Sequence, residues 1–479
     1  MTSQASRIRW NSLFSFLSQF IRLLTNFFLF VGIARFYGPE AFGQFATAHT
    51  LSTIFLLFAD FGFDMLLSTE IAHQRGRASD LAQKYFSLKV LFALTATIAM
   101  FVVPYFRSFT PQTKLLVQVF SFYVLFSALN NFFFALFKGF EQFQHEMKIS
   151  FWTNLALLIL LIALGLAHAP LAIIAFFFVG TRIIGLVFGA RIAFRLARFD
   201  VFRIDLTGWK EAWRHVSIFG LHYIFGNLFF MLDTLLLAFW KGDHGVGIYQ
   251  AVFKLAVLVL LVPDIAINTL MPVLSRFHGE DEERWNSLGR LLSKTLFLLG
   301  LPISMILFVY AEQIIAVVYG RGAFFESVPI LRIFALIVLV RFSVETFALM
   351  LTTSRRQLVR MWIVIVGTGI NVGMNLYFIP KFGPYGAALV SLATNLLAGL
   401  GYIVSMPNAF VQWMVNARNL ILLVVTILIS LVIWNVRTLP LWYTGPAAVI
   451  IYGLVFYFIG YTKEEWKMIL SREKYISIA

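Results

Sequence analysis

The sequence predicts an all-α integral membrane protein with about 14 transmembrane helices. Three observations predict it. Of its 479 residues, 60% are hydrophobic and only 13% are charged, with a mean hydropathy of +0.84. Soluble domains sit nearer 45–50% apolar, so lipid has to be the solvent for much of this surface. Apolar runs of about 20 residues recur along the whole chain, the length that crosses a bilayer core as a helix. Lysine and arginine gather on alternate connections between the runs, as they do when those connections face the cytoplasm.

The first run, 12–35, follows Arg7 and Arg9 as a secretory core would. It is too long for one, and no small-x-small cleavage site follows, so it reads as a retained span. Runs at 44–68, 83–106, 113–137, 149–168 and 170–194 complete a first set of six. A second set lies at 215–240, 246–273, 289–311, 328–352, 359–380 and 384–407, and two more follow at 418–436 and 440–461. Phe-rich pieces such as "NFFFALF" have strand propensity, but their length and lack of alternation favour helices. With the N-terminus inside, the inside connections hold 26 lysines and arginines and the outside ones 7. Both termini are therefore expected on the cytoplasmic side of the cell (inner) membrane. The formal charge of +15 is mainly this topological bias, not a nucleic-acid footprint. The loop around Arg191–Arg214 adds a candidate contact with anionic membrane lipid. The chain has no cysteine, which excludes disulfides, thiolate metal sites and cysteine nucleophiles.

The chain also resembles itself. Displaced by 204 residues, "ARFYGPEAFGQFATA" (Ala34 to Ala48) falls on "AFWKGDHGVGIYQAV" (Ala238 to Val252). Gly38 meets Gly242, Gly43 meets Gly247, Phe45 meets Tyr249 and, further on, Asp60 meets Asp264. Both stretches are the tight turn after the first span of a set, where glycine supplies the unusual backbone angles of a short hairpin. The pattern predicts a duplication inserted in one direction, with an N-terminal lobe at 1–200, a C-terminal lobe at 201–410 and a tail with two spans at 411–479.

Enzyme motifs are poor. "HEMKI" at His145 has Ile149 where a zincin needs its second histidine, and reads as a loop. "GTGINVG" at Gly367 lacks nucleotide-binding spacing, and its Gly369–Gly373 pair suggests close helix packing. No Gly-Lys dipeptide occurs, so there is no Walker A loop.

Charges inside spans are costly, and each is a candidate functional residue. Arg22 lies about 15 Å into the first span, near the midplane, on a polar stripe with Asn11, Ser15, Ser18 and Asn26. Such a stripe lines water or another polar surface. Arg22 is either a cavity cation or the partner of an acid on a neighbouring helix. Lys254 is either a cavity cation or a snorkelling or paired side chain, Arg182 has either a functional or a structural reading, and Arg341 and Glu345, four apart, suggest a local pair. Asp60 and Asp264 lie late in their spans, where gating or structural capping suits them. Asp233, Asn371, Asn375 and Thr394 form a second group, either buried polar packing or a site for a small hard cation.

At this point the series of motifs resembles a known family. "ARFYGPEAFGQFATAHTLSTIFLLFADFGF" (Ala34 to Phe63), "MLDTLLLAF", "GVGIYQAVFKLAVLVLLVPDIAINTLMPVLSRF", "YGRGAFFESVPILRIFAL" and "FGPYGAALVSLATN" follow one another as in the oligosaccharide (polysaccharide) flippases of the multidrug/oligosaccharidyl-lipid/polysaccharide exporter superfamily. The resemblance implies two pseudo-symmetric six-helix lobes around a central cavity, plus two C-terminal helices. It implies no enzyme activity and no cofactor, with sodium or proton coupling as the candidate drive. The implied cargo is a polyprenyl-diphosphate-linked oligosaccharide moved to the outer leaflet for cell-surface polysaccharide synthesis, and the implied partners are a polysaccharide polymerase and glycosyltransferases. Arg22 matches the cationic cavity position of such proteins; Asn26, Lys254, Arg182 and Arg341 are the further candidate substrate-binding residues. The rival reading is a cation-coupled exporter of small molecules or drugs with the same fold. A remoter one is an envelope-assembly scaffold or ligase component, which the short outer connections disfavour.

Overall fold

A computed structural model describes residues 4–106, 109–200, 203, 205, 228, 231–406, 417–435, 441–461 and 465. The span expected at 215–240 lies outside the described residues up to 230, apart from 228, as does most of the loop before it. Among the described residues there is no strand, and nine helices are long and apolar enough to cross a membrane. The chain divides into two compact units, Met1–Gln250 and Ala251–Ala479.

The first unit contains α1 (Gln4–Asp60), α2 (Phe63–His73), α3 (Ala78–Val102), α4 (Pro111–Gly139), α5 (Phe143–Leu166), α6 (Leu171–Leu196) and the first part of α7 (Leu232–Phe277). α1 packs on α3, α4 and α5, and α4 packs on α3 and α6. Phenylalanines fill much of the space between them, with Phe63, Phe86, Phe132, Phe133 and Phe137 all buried in one cluster. The second unit carries the rest of α7, then α8 (Glu282–Val309), α9 (Ala311–Tyr319), α10 (Ser327–Thr353), α11 (Gln357–Val404), α12 (Ala417–Asn435) and α13 (Leu441–Val455). Here α10 is the central helix, packed on α8 and α11, and most of its residues are buried.

Three of the long elements are helical hairpins. A straight helix of 57 residues would run about 85 Å, far beyond a bilayer core of about 30 Å. α1 instead folds back at Gly38, where φ is 78° and ψ −179°. α7 does so at Gly242 (67°, −166°) and α11 at Gly383 (58°, −139°). Gly38 and Gly242 sit in a region of backbone space that is essentially confined to glycine. The arms then bind each other. In α1 the Phe30 ring lies 5.8 Å from Phe42, 5.8 Å from Phe45 and 5.1 Å from His49. In α7 the Tyr249 hydroxyl donates to Asp233 at 2.8 Å, and Gln250 donates to Thr234.

The second glycine of each related turn has a different use. A Cβ on Gly43 would stand 1.7 Å from the Asp243 carbonyl oxygen, and one on Gly247 would stand 1.9 Å from the Pro39 carbonyl oxygen. The two turns therefore cross backbone to backbone, each glycine facing the other's turn. Asp243 also accepts from Thr113 at 2.7 Å and Thr110 at 3.1 Å at the start of α4.

Three local expectations need correction. The second span is broken at Phe61 and Gly62, both with positive φ, so it does not run unbroken to 68. "HEMKI" is not a loop; His145 and Glu146 lie in the first turn of α5. Gly369 and Gly373 do not mark close packing, since a Cβ on either would meet nothing within 4 Å.

Gly43→Ala forces two backbones apart at a site with no flexible side chain to yield. It is expected to lower stability by about 1–3 kcal/mol, the usual cost of overpacking, while Gly76→Ala, which meets open space, stays near wild type. Thermal unfolding of the two variants in detergent checks this; equal melting temperatures would count against the crossing.

Candidate functional site

The first unit encloses a polar cavity of about 570 Å³. That is within the usual range for small-molecule sites. Helices α1, α2, α4, α5 and α6 all reach it. Of the residues predicted from sequence, it brings together Arg22, Asn26, Asp60 and Arg182. Sequence reasoning missed Lys138 and Glu146, which also line it, and Lys89, which stands behind it; Asp64, an acid inside the expected second span, lines it too.

Arg22 has an acidic partner. Its Nη1 donates to Glu146 Oε1 at 2.8 Å and to Ser150 Oγ at 3.3 Å. The polar stripe of α1 explains the placement, since Ser18, one turn earlier, is buried and donates to the same Glu146 oxygen at 3.4 Å. Glu146 is 2% exposed, and its other oxygen has only an ionic contact, 3.3 Å to Lys138 Nζ. Its position in the first turn of α5 adds the favourable field of a helix N-terminus. Arg22 remains 30% exposed toward the cavity. The two readings of Arg22 are thus compatible: it lines the cavity and is paired.

Arg182 is held differently. Its guanidinium carbon lies 5.3 Å from the ring centres of both Tyr123 and Phe178, a cation–π arrangement. Its backbone carbonyl accepts from Asn130 at 2.7 Å. Its buried Nε makes no hydrogen bond, and neither do Asn26 Oδ1, Ser127 Oγ and Asn130 Oδ1 around the same cavity. Buried polar atoms are nearly always satisfied, so these four are candidates for contact with water or a ligand.

On the other side, Lys89 donates to Asp60 at 2.6 Å and to Asp64 at 2.8 Å. Lys89 is fully buried within α3. By sequence it counts among the 26 basic residues of the inside connections, but its side chain is buried within the helical unit.

The remaining predicted residues lie elsewhere. Lys254 is half-buried on α7. Arg341 binds Glu345 at 2.5 Å, the local pair its spacing suggested. Asp264 is exposed, within electrostatic reach of that pair. Asp233 is buried and accepts from Tyr249. Asn371, Asn375 and Thr394 form a buried chain in the α11 hairpin, Asn375 donating to Asn371 at 3.0 Å and Asn371 to Thr394 at 3.4 Å.

Residues 8–278, more than half of the chain, match the family described as polysaccharide biosynthesis protein. The chain belongs to that family. Residues 219–377 also match the MatE family. Over 267 residues the chain is 24% identical to a Haloferax volcanii protein described as "Probable flippase AglR", with 52% of each covered. It thus spans about half the length of that curated relative. Among solved structures it is similar to the lipid II flippase MurJ in an inward closed conformation, with a TM-score of 0.75 and 15% identity over 95% of this chain and 98% of that one. It is also similar to an inward-facing multidrug resistance MATE transporter, with a TM-score of 0.66 and 16% identity over 80% of this chain and 93% of that one. This member of the family is therefore an all-α, multi-pass membrane protein with the fold shared by flippases and exporters.

Removing one partner of a buried ion cluster leaves uncompensated charge. Lys89→Met is expected to lower stability by about 3–5 kcal/mol, and adding Asp60→Asn and Asp64→Asn should recover a large part. Thermal unfolding in detergent reads both; a Lys89→Met protein as stable as wild type would contradict the buried triad.

Proposed function

We propose that this protein moves a polyprenyl-diphosphate-linked oligosaccharide from the cytoplasmic to the outer leaflet of the cell membrane by alternating access, for cell-surface polysaccharide synthesis. The observation that carries the reading is the composition of the cavity: Arg22, Lys138 and Arg182 line it together with Asn26, Ser127 and Asn130. A diphosphate needs cations to leave water, because Coulomb interactions grow large as the dielectric falls. Arginine suits phosphate through its planar, multiply donating head. The free oxygens of Asn26 and Asn130 cannot bind phosphate, but they accept from hydroxyls, which a sugar has in number. One cavity thus offers both chemistries of such a cargo. The name of the Haloferax volcanii relative, a flippase, supports the class of activity.

In this reading the termini are cytoplasmic, a polymerase and glycosyltransferases act before and after transport, and a sodium or proton gradient drives the cycle. Lys254 and Arg341 would be further cationic substrate-binding residues. Asp60 and Asp264 would have gating or structural roles; Asp233, and separately the Asn371, Asn375 and Thr394 chain, would be the candidates for contact with a coupling cation.

The rival, a cation-coupled exporter, is favoured by the MATE-type structural likeness and by the carboxylates of Asp60, Asp64 and Glu146 in the cavity. Those carboxylates, however, already neutralise Lys89, Arg22 and Lys138.

Arg182 makes no ion pair among the described residues, so Arg182→Gln should leave the fold intact. In cells that depend on this gene, the variant is expected to keep normal abundance and to lower export of lipid-linked oligosaccharide roughly tenfold, the effect of losing about 1.4 kcal/mol of binding. Normal export by a normally abundant variant would remove Arg182 from the cargo site.

A further inference from the structure

We propose that Glu146 is a built-in counter-anion, which neutralises Arg22 and Lys138 while the cavity is empty and is displaced from them by the diphosphate of the cargo. The inference rests on the proposed function and adds a residue that sets how tightly cargo is held.

Three cations on a cavity wall inside a membrane protein are costly when nothing compensates them. Arg22 and Lys138 come from different helices, α1 and α4, and Glu146 on α5 touches both. Its contacts are uneven. One oxygen is well held by Arg22 at 2.8 Å, with Ser18 more distant at 3.4 Å, while the other makes no hydrogen bond and only meets Lys138 at 3.3 Å. A carboxylate kept for structure alone would have both oxygens satisfied in so buried a place. This one is poised between two cations that both line the cavity.

A carboxylate carries one negative charge and a diphosphate more, with more acceptor oxygens. The diphosphate therefore out-competes Glu146 for Arg22 and Lys138, but not by the full strength of its own attraction, because the released carboxylate must find another partner. Ser18 and Ser150 already stand beside it, the former donating to its oxygen and the latter touching Arg22. The competition weakens binding and eases release. Without the Glu146 charge, Arg22 and Lys138 would hold cargo too long.

The probe is farnesyl diphosphate, with farnesol as the phosphate-free control and inorganic pyrophosphate as the lipid-free one. Binding is measured on the full-length protein in nanodiscs. Glu146→Gln keeps shape and hydrogen bonding and removes the charge. It is expected to bind farnesyl diphosphate roughly tenfold tighter than wild type, to leave farnesol unchanged, and to lower transport turnover. Because Glu146→Gln alone leaves cations uncompensated, a second comparison guards against misfolding. Arg22→Gln should weaken farnesyl diphosphate binding, and Arg22→Gln with Glu146→Gln should regain affinity relative to Arg22→Gln. Glu146→Gln binding equal to or weaker than wild type, or no regain in the double variant, would overturn the displacement. Tightening confined to inorganic pyrophosphate would overturn it too, since the displacing group would not be a lipid head-group. If wild type itself prefers farnesol or binds neither, the proposed function fails instead, which separates the two outcomes.

Discussion

The balance of buried charge governs the first unit. Within a helical bundle surrounded by lipid, an ammonium or carboxylate out of water has to be matched nearby. Lys89 is matched by Asp60 and Asp64, and Glu146 by Arg22 and Lys138. These matches tie α1 to α2 and α3 on one side and to α4 and α5 on the other. They also fix the walls of the cavity, because the residues that balance one another are largely the ones that line it. Arg182 is the exception, steadied by aromatic faces, and so keeps more of its donor capacity for a ligand.

Much of this was legible in the sequence, for reasons that differ by residue. Arg22 stands well inside a long apolar run, so its cost to the bilayer was visible and its stripe-mate Asn26 came with it. Glu146 and Lys89 were not legible because Glu146 lies in the first turn of α5 and Lys89 lies only a few residues into the apolar run at 83–106. There a charge looks like an ordinary loop or capping residue, and only the packing of α5 on α1, or of α3 on α1, shows it turned inward. The Arg341–Glu345 pair was readable because four-residue spacing is a local rule. The Gly369–Gly373 pair misled because small residues permit close packing without requiring it.

The hairpin turns show the same division between local and tertiary information. The repeat of Gly38 in Gly242 was visible in the letters, and both adopt a backbone conformation that other residues avoid. The use of Gly43 and Gly247 was not visible, because it depends on two turns 204 residues apart meeting face to face. The first glycine of each turn lets a long helix fold back, and the second lets the folded pair cross. That crossing brings the turn of α7 to the turn of α1, where Asp243 reaches the N-terminus of α4.

The central claim is that the cavity accommodates an anionic lipid-linked sugar. The most direct measurement is translocation by the purified protein in proteoliposomes, comparing a fluorescent polyprenyl-diphosphate oligosaccharide with a fluorescent organic cation. Protein-dependent movement of the diphosphate lipid, with little movement of the cation, is the predicted result. Movement of the cation with none of the diphosphate lipid would contradict the account.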